Sequence, residues 1–276
     1  MKKFFYLILT IFALAISSSK LVFALDYNFQ KLDDKTDQIW SVDWNSDYGL
    51  ELLAESSYKK DFYHLVNFFQ PQINPLLCSA ATSVIILNAL NYNNIPNQTT
   101  SQITKPIEMG GGVIEFPLFT QEYFFNNLTD QIKDRHIINL EAPKEIRYRR
   151  KYYDPGLSLK ELHDVLTKIH KLKVKMVMLN QDNEQTFEDF RQDLQNSLNN
   201  KNQYFIANFD GQILGKKTHG HISPIIAFNE KKDKVLVMDV ALHKNQWYWT
   251  DLRQMYKAMN TKDGNKYRGY LLVGKN

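Results

Sequence analysis

Beyond Asn200 the sequence is built from short apolar runs rich in β-branched and aromatic residues, separated by polar or glycine-containing breaks. These runs are Tyr204 to Phe209, His221 to Phe228, Val235 to Val240 and Gly269 to Val273, and their length and composition predict strands. Before Asn200 the pattern is helical. Residues 61–70 and 79–91 are apolar enough for helices, and another helix fits 186–199. Ser158 opens a further helix with Glu161 three residues on, a capping-box spacing. Helices first and strands last predict an α+β fold. The stretch from 92 to 156 is looser, broken by Asn93-Asn94, Pro96, Gly110 to Gly112, Pro117 and Pro155-Gly156. Residues 25–60 form an acidic, polar leading segment in which Trp40 and Trp44 are the expected packing anchors.

The first 24 residues stand apart. Lys2 and Lys3 precede an apolar stretch over 4–16, then Ser17 to Ser19, with Val22-Phe23-Ala24 fitting a small-x-small cleavage site. These are the parts of a secretory signal. Thirteen apolar-rich positions are too few to span a bilayer, which needs about 20. The expectation is export to the periplasm or beyond, with cleavage after Ala24 and no stable membrane anchor. No cysteine follows the apolar run, so a lipid anchor there is excluded. The remaining chain, 25–276, reads as a single domain. Lys+Arg number 34 against 30 Asp+Glu, and three of those lysines fall in the first 24 residues. The body is therefore near neutral, which argues against nucleic acid as a partner.

Cys78 is the single cysteine, so no internal disulfide and no Cys-x-x-Cys metal site can form. Small residues follow it and then an apolar stretch, Val84 to Leu90, as when a helix starts at the cysteine. A cysteine there sits at the positive end of the helix dipole, which favours the thiolate. A lone cysteine is also commonly a small buried hydrophobe, so its neighbours decide. Gln72 lies six residues earlier, the spacing at which papain-type enzymes place the glutamine that stabilises the oxyanion.

His221 enters one expected strand and Asp239 ends the next, with Asn229 to Asp233 as the hairpin loop. A turn centred near 230 or 231 sets residue 221 across from 239 to 241, so the two side chains can meet on one face. Cysteine, histidine and an orienting carboxylate are the usual set for thiol catalysis. His219 would face the same way but reads as a loop residue. His64, His136, His163, His170 and His243 read as surface or packing residues, and no helical pair of histidines stands beside an acid to suggest catalytic zinc.

These residues carry a family resemblance. Phe68 to Cys78, with Val84 to Leu90 after it, resembles the catalytic cysteine segment of phytochelatin synthases. Phe119 to Phe125 is similar to the segment that follows in bacterial members. Gly220 to Pro224, Asp239 to Ala241, Lys257 to Thr261 and Arg268 to Tyr270 resemble the rest of the catalytic domain in order. The resemblance spans roughly 60–274. It implies a papain-like fold, with a helical part carrying the cysteine packed on an antiparallel sheet carrying His and Asp. It implies a Cys78–His221–Asp239 triad with Gln72 as oxyanion donor. It also implies a glutathione γ-glutamylcysteinyltransferase, in which Cys78 takes γ-glutamylcysteine from glutathione as a thioester and passes it to a second glutathione or to water. No tightly bound cofactor is implied; a thiol-binding metal such as cadmium or zinc would act as activator or within a metal–glutathione thiolate. Without a cysteine-rich C-terminal region, the chain resembles the short bacterial form.

Three positions depart from the family. Ser79 stands where glycine usually follows the cysteine, and Leu242 and Gly211 stand where members carry arginines, which the resemblance implies would hold acceptor carboxylates. Lys216, Lys217, Lys244 and Arg268 are the candidate substitutes. Arg147, Arg149, Arg150 and Lys151, interleaved with tyrosines, form either a binding patch or a solvated loop. Two other readings stay open: a papain-like peptidase on another γ-glutamyl or peptide substrate, and an inactive papain-like binding module.

Overall fold

The structure, a computed structural model, describes residues 41–91, 106–115, 118–135, 156–180 and 183–275. The signal segment, Trp40, His136, Asn93, Asn94, Pro96, Pro117, Pro155 and the basic run 147–151 lie outside these residues.

The body is a seven-stranded antiparallel sheet ordered β1-β8-β7-β6-β5-β11-β4. These strands are β1 (Ser41–Asp43), β4 (Lys173–Met178), β5 (Gln203–Asp210), β6 (Gly220–Asn229), β7 (Lys234–Val237), β8 (Tyr248–Asp251) and β11 (Gly269–Gly274). The central strands are apolar at successive positions because both faces are covered. In β5, Tyr204 and Ile206 join one core, while Phe205, Ala207 and Phe209 join the other. Strand β11 divides likewise, Leu271 and Val273 against Tyr270 and Leu272, the two-residue alternation of a pleated strand. Two small hairpins complete the strands, β2 (Pro106–Met109) with β3 (Gly112–Glu115), and β9 (Lys262–Asp263) with β10 (Lys266–Tyr267). The first turns on Gly110 and Gly111, both at positive φ, as a two-residue hairpin loop of matching twist requires.

On the first face lie α1 (Asp47–Glu55), α2 (Lys60–Leu65), α3 (Cys78–Asn91), α4 (Gln121–Phe124) and α5 (Leu159–Asp164). Helix α3 is buried on all sides: Ala80, Ala81, Val84, Ile85 and Ile86 are sealed from solvent along with Ser79, Thr82 and Ser83. Two of those hydroxyls find carbonyls, Ser83 at Ser79 O (2.7 Å) and Thr82 at Ile222 O (3.0 Å). The other face is covered by α6 (Glu184–Asn199) and α7 (Leu252–Met259). Phe187, Phe190, Leu194 and Leu198 give α6 its buried stripe at helical spacing.

The α+β class stands, but the order of helices and strands is more mixed than expected. Strands β1 to β4 precede residue 200, and α1, α4 and α7 add helices outside the expected set. Lys173 and Lys175 masked β4: it is an edge strand whose lysines point outward, a common protection for an open sheet edge. The run Val235 to Val240 leaves the ladder after Val237, although Met238 N still donates to Pro224 O (3.0 Å). The Ser158 capping box forms as expected, with Glu161 Oε2 accepting from Ser158 N at 2.7 Å. Trp44 packs on Phe62 and Trp247. Among the described residues no helix is long and apolar enough to cross a membrane.

Candidate active site

Cys78 is the first residue of α3 and is half-buried. A tight turn delivers the chain to it. Asn74 Oδ1 accepts from Leu76 N (2.9 Å), and Asn74 O accepts from Leu77 N (3.2 Å). The Thr82 bond to Ile222 O fixes the same helix against β6, one residue from His221.

His221 is buried near the start of β6, edge-on to the Phe209 ring. Its Nε2 lies 2.7 Å from Asp239 Oδ1 and 3.1 Å from Ser223 Oγ. Burial alone would lower the imidazole pKa. The adjacent Asp239 carboxylate outweighs it, and a hydrogen-bonding contact with Cys78 adds to the effect, so the pKa rises to about 10. Nε2 is taken by the aspartate, which leaves Nδ1 as the ring nitrogen open to the thiol. Burial would raise the Asp239 pKa, but the His221 charge and three hydrogen bonds hold it below the ordinary range. Those bonds come from His221, Ala241 N (2.8 Å) and Asn245 Nδ2 (3.1 Å). The Tyr248 hydroxyl, buried without a partner, keeps its proton because of burial and the nearby Asp239 charge.

Gln72 is buried on the loop before Cys78, and its backbone N–H donates to Val240 O (2.8 Å), the residue after Asp239. Its side-chain Nε2 donates to Asn74 O (2.9 Å), which leaves one amide hydrogen for another acceptor; Oε1 is buried with no partner. Gln72, Asp239, His221 and Cys78 therefore belong to one linked set of backbone and side-chain contacts.

The cross-strand geometry falls within the expected range, with His221 set opposite residue 241, and adds a bulge. A bulge between Ile225 and Ala227 shifts the β6–β7 register, after which Ile225 faces Val237. Continued past that pair, the register sets Ser223 opposite Asp239, and His221 reaches the carboxylate diagonally.

The candidate cations are scattered. Lys216 Nζ sits 3.9 Å from the centre of the Tyr248 ring, half-buried, close enough to Asp239 and Asp43 for both to hold up a pKa that burial lowers. Lys217 and Lys244 are exposed. Arg268 is buried, with Nη1 donating to Thr261 Oγ1 (3.1 Å) and to Lys262 O, while Nη2 approaches the Cα side of Gly220 and Nε has no partner. Leu242 is 47% exposed. Gly211 has no room: a Cβ there would lie 2.1 Å from Thr218 Oγ1 and 2.6 Å from Thr218 O.

The remaining histidines lie elsewhere. His219 and His243 are exposed. His64 and His163 do have partners, Tyr204 and Asp164 respectively. His170 is stacked on Phe124 and pushed down to about 4 by burial. Among the described residues no group of three or more His, Cys, Asp or Glu could hold a metal ion.

The family model described as phytochelatin synthase matches residues 37–270. The chain belongs to the phytochelatin synthase family. It is 36% identical over 90 residues to the glutathione gamma-glutamylcysteinyltransferase of Schizosaccharomyces pombe, covering 32% of this chain and 22% of that one. It is 24% identical over 240 residues to glutathione gamma-glutamylcysteinyltransferases 2 and 1 of Arabidopsis thaliana, covering 85% of this chain and 45% and 42% of theirs. The chain thus spans less than half the length of these relatives.

Within this member of the family, several contacts around the site escaped the sequence reading. Ser223 carried a signal, since two residues along a strand it shares a face with His221. Asn74, before Pro75, carried the local signal of a turn whose side chain accepts two residues on, whereas Asn245 and Gln121 had none beyond their polar character, because their partners lie six and 48 residues away with no periodicity to link them.

Proposed function

We propose that this chain is a glutathione γ-glutamylcysteinyltransferase with a papain-like catalytic arrangement. The observation that carries the reading is the buried His221 ring, held by Asp239 on one nitrogen and meeting the Cys78 thiol at the first residue of α3. Membership of the phytochelatin synthase family supplies the substrate class. In this reading Cys78 Sγ attacks the carbonyl of the Cys–Gly peptide of glutathione, and the new oxyanion accepts from the Cys78 N–H and the spare Gln72 amide hydrogen. The C–N bond breaks, and glycine leaves with the proton carried by His221. The amine of a second glutathione, or water, then attacks the γ-glutamylcysteinyl thioester and passes its proton to His221, and the C–S bond breaks to free Cys78 Sγ. Asp239 holds the ring orientation throughout.

Cadmium or zinc enters this scheme as a metal–glutathione thiolate, a form of the substrate. The N-terminal pattern of Lys2, Lys3 and the apolar run supports an exported enzyme whose body begins at residue 25. Incubating the protein with glutathione, with and without cadmium or zinc, and identifying products by mass tests the proposal. Free glycine with γ-glutamylcysteine or phytochelatin is expected. Intact glutathione under all conditions would overturn it and favour the non-catalytic binding module.

A further inference from the structure

The loop carrying Gln72 has no regular structure, and Ile73 beside it is 55% exposed. Such a loop would be expected to drift, yet its backbone is held from two sides. Gln72 N donates to Val240 O on one side. On the other, the Gln121 side chain closes a pair of hydrogen bonds onto the residues flanking Gln72: Oε1 accepts from Ile73 N (3.1 Å), and Nε2 donates to Pro71 O (3.0 Å). Gln121 is itself buried, at 2% exposure.

The same device recurs two residues upstream. Asn88, buried on α3, accepts from Phe119 N through Oδ1 (2.8 Å) and donates to Phe119 O through Nδ2 (3.1 Å). Each pair satisfies one backbone donor and one backbone acceptor at once, as a neighbouring strand would. Helix α3 is also the helix that begins with Cys78. A closed path therefore runs from the nucleophile helix through Asn88 to Phe119, from Gln121 to the Gln72 loop, and along that loop back to Cys78.

We infer that residues 119–121 form a brace that sets the Gln72 amide at a fixed distance from the Cys78 helix, with Gln121 as a positioning residue for the oxyanion donor. The inference rests on the proposed role of Gln72. Gln121 touches no reacting atom; it acts by denying the loop the displacement of an ångström that costs oriented catalysis about 10²-fold.

The test measures glycine release over a range of glutathione up to saturation in Gln72→Ala, Gln121→Ala and the double variant. Cys78 alkylation by iodoacetamide and thermal melting are read alongside. Gln72→Ala is expected to lose roughly 10²–10³-fold in kcat, and Gln121→Ala roughly 10–10² with KM little changed. The double variant should be no slower than Gln72→Ala, and alkylation should keep its rate in all three. Asn88→Asp, which keeps the acceptor and loses the donor, should fall the same way if it folds.

A normal kcat in Gln121→Ala beside a slow Gln72→Ala overturns the brace and leaves the oxyanion role standing. A double variant slower by the product of the two losses also overturns it, because Gln121 would then act by another route. An unchanged rate in Gln72→Ala removes the oxyanion role first, and the brace with it.

Discussion

His221 Nε2 lies 2.7 Å from Asp239 Oδ1 across strands whose register would place Ser223, not His221, opposite the aspartate. The bulge at Ile225–Ala227 and the departure of residues 238–240 from the ladder free Asp239 to turn toward the ring. Bulges of this kind re-aim side chains beside functional sites. Ser223 fills the position left between them, with Oγ 3.1 Å from Nε2 and accepting from Val240 N at 3.3 Å. The diagonal pairing thus leaves Nδ1 for the thiol and keeps the polar atoms around Nε2 satisfied.

Cys78→Ala is expected to abolish glycine release, and His221→Ala to lower it by roughly 10²–10⁴-fold, the range for loss of a positioned proton-transfer group. The residues act as one unit, so combining the two variants should add nothing. Retained turnover in Cys78→Ala, measured by glycine production, would remove thioester chemistry altogether.

The raised His221 pKa makes a prediction about proton occupancy and stability. The ring should stay protonated from pH 6 to pH 9 in nitrogen-detected NMR, and Asp239→Ala should bring its midpoint down. The folded state binds this proton more tightly than the unfolded chain, whose imidazole sits at an ordinary 6.5. Its contribution to stability is therefore complete below about pH 6.5 and disappears as pH rises through about 10. Thermal melting of the parent and the variant should converge over that window; a gap that widens with pH would contradict it.

The strands of the central sheet and the start of α3 could be read from sequence because burial on both faces leaves long apolar runs. The capping box was equally plain, since Ser158 and Glu161 form a local pattern. What stayed hidden was of another kind. Strand β4 alternates exposed Lys173 and Lys175 with Val174 and Met176 because it lies at the sheet edge, and α7 is a short helix between strands in the chain. In the site, Cys78, His221 and Asp239 could be picked out because chain order and strand alternation bear on them. Gln121 and Asn245 act across 48 and six residues on partners that no periodicity links.

Leu242 and Gly211 should respond differently to arginine. Leu242 is 47% exposed and can take a longer side chain, so Leu242→Arg should fold normally and offer a fork to an acceptor carboxylate. The expected result is a product ratio shifted from free γ-glutamylcysteine toward phytochelatin at low glutathione, with glycine release nearly unchanged. Gly211→Arg should lose stability instead, because its Cβ alone meets Thr218 O at 2.6 Å. Product analysis for the first and melting for the second check the contrast; equal stability of the two variants would contradict it.

Asp61 offers a stability test away from the site. It is 2% exposed, its Oδ2 has no partner, and burial, countered only in part by Lys60, lifts its pKa to about 8. The folded state holds the proton that the unfolded chain gives up near the ordinary 3.8, so this group costs stability increasingly from about pH 4 to pH 8. Asp61→Asn should raise the melting temperature at pH 8 and change it little at pH 4. A variant less stable at pH 8 than the parent would mean that the charged form has a partner.

The last prediction concerns what holds Asp239. Both of its oxygens accept: Oδ1 from His221 Nε2 and Ala241 N, and Oδ2 from Asn245 Nδ2. Asp239→Asn keeps an acceptor for the ring but turns its own NH₂ toward the NH₂ of Asn245. Two donors then face each other in a buried place, the costly arrangement for polar groups. Asn245 could rotate its amide to present oxygen, but its Oδ1 already accepts from Lys217 N at 3.5 Å. The swap should therefore be costly, roughly 10²–10⁴-fold in kcat. Asn245→Asp supplies an acceptor at that point and restores a negative charge beside the histidine. In the Asp239→Asn background it should recover about ten-fold, a coupling of the size found for residues in one hydrogen-bond network. Alone, Asn245→Asp sets two carboxylates against each other and should slow the enzyme. If the double variant is slower than Asp239→Asn by the same factor that Asn245→Asp costs alone, the two residues act independently and Asn245 does not position the aspartate.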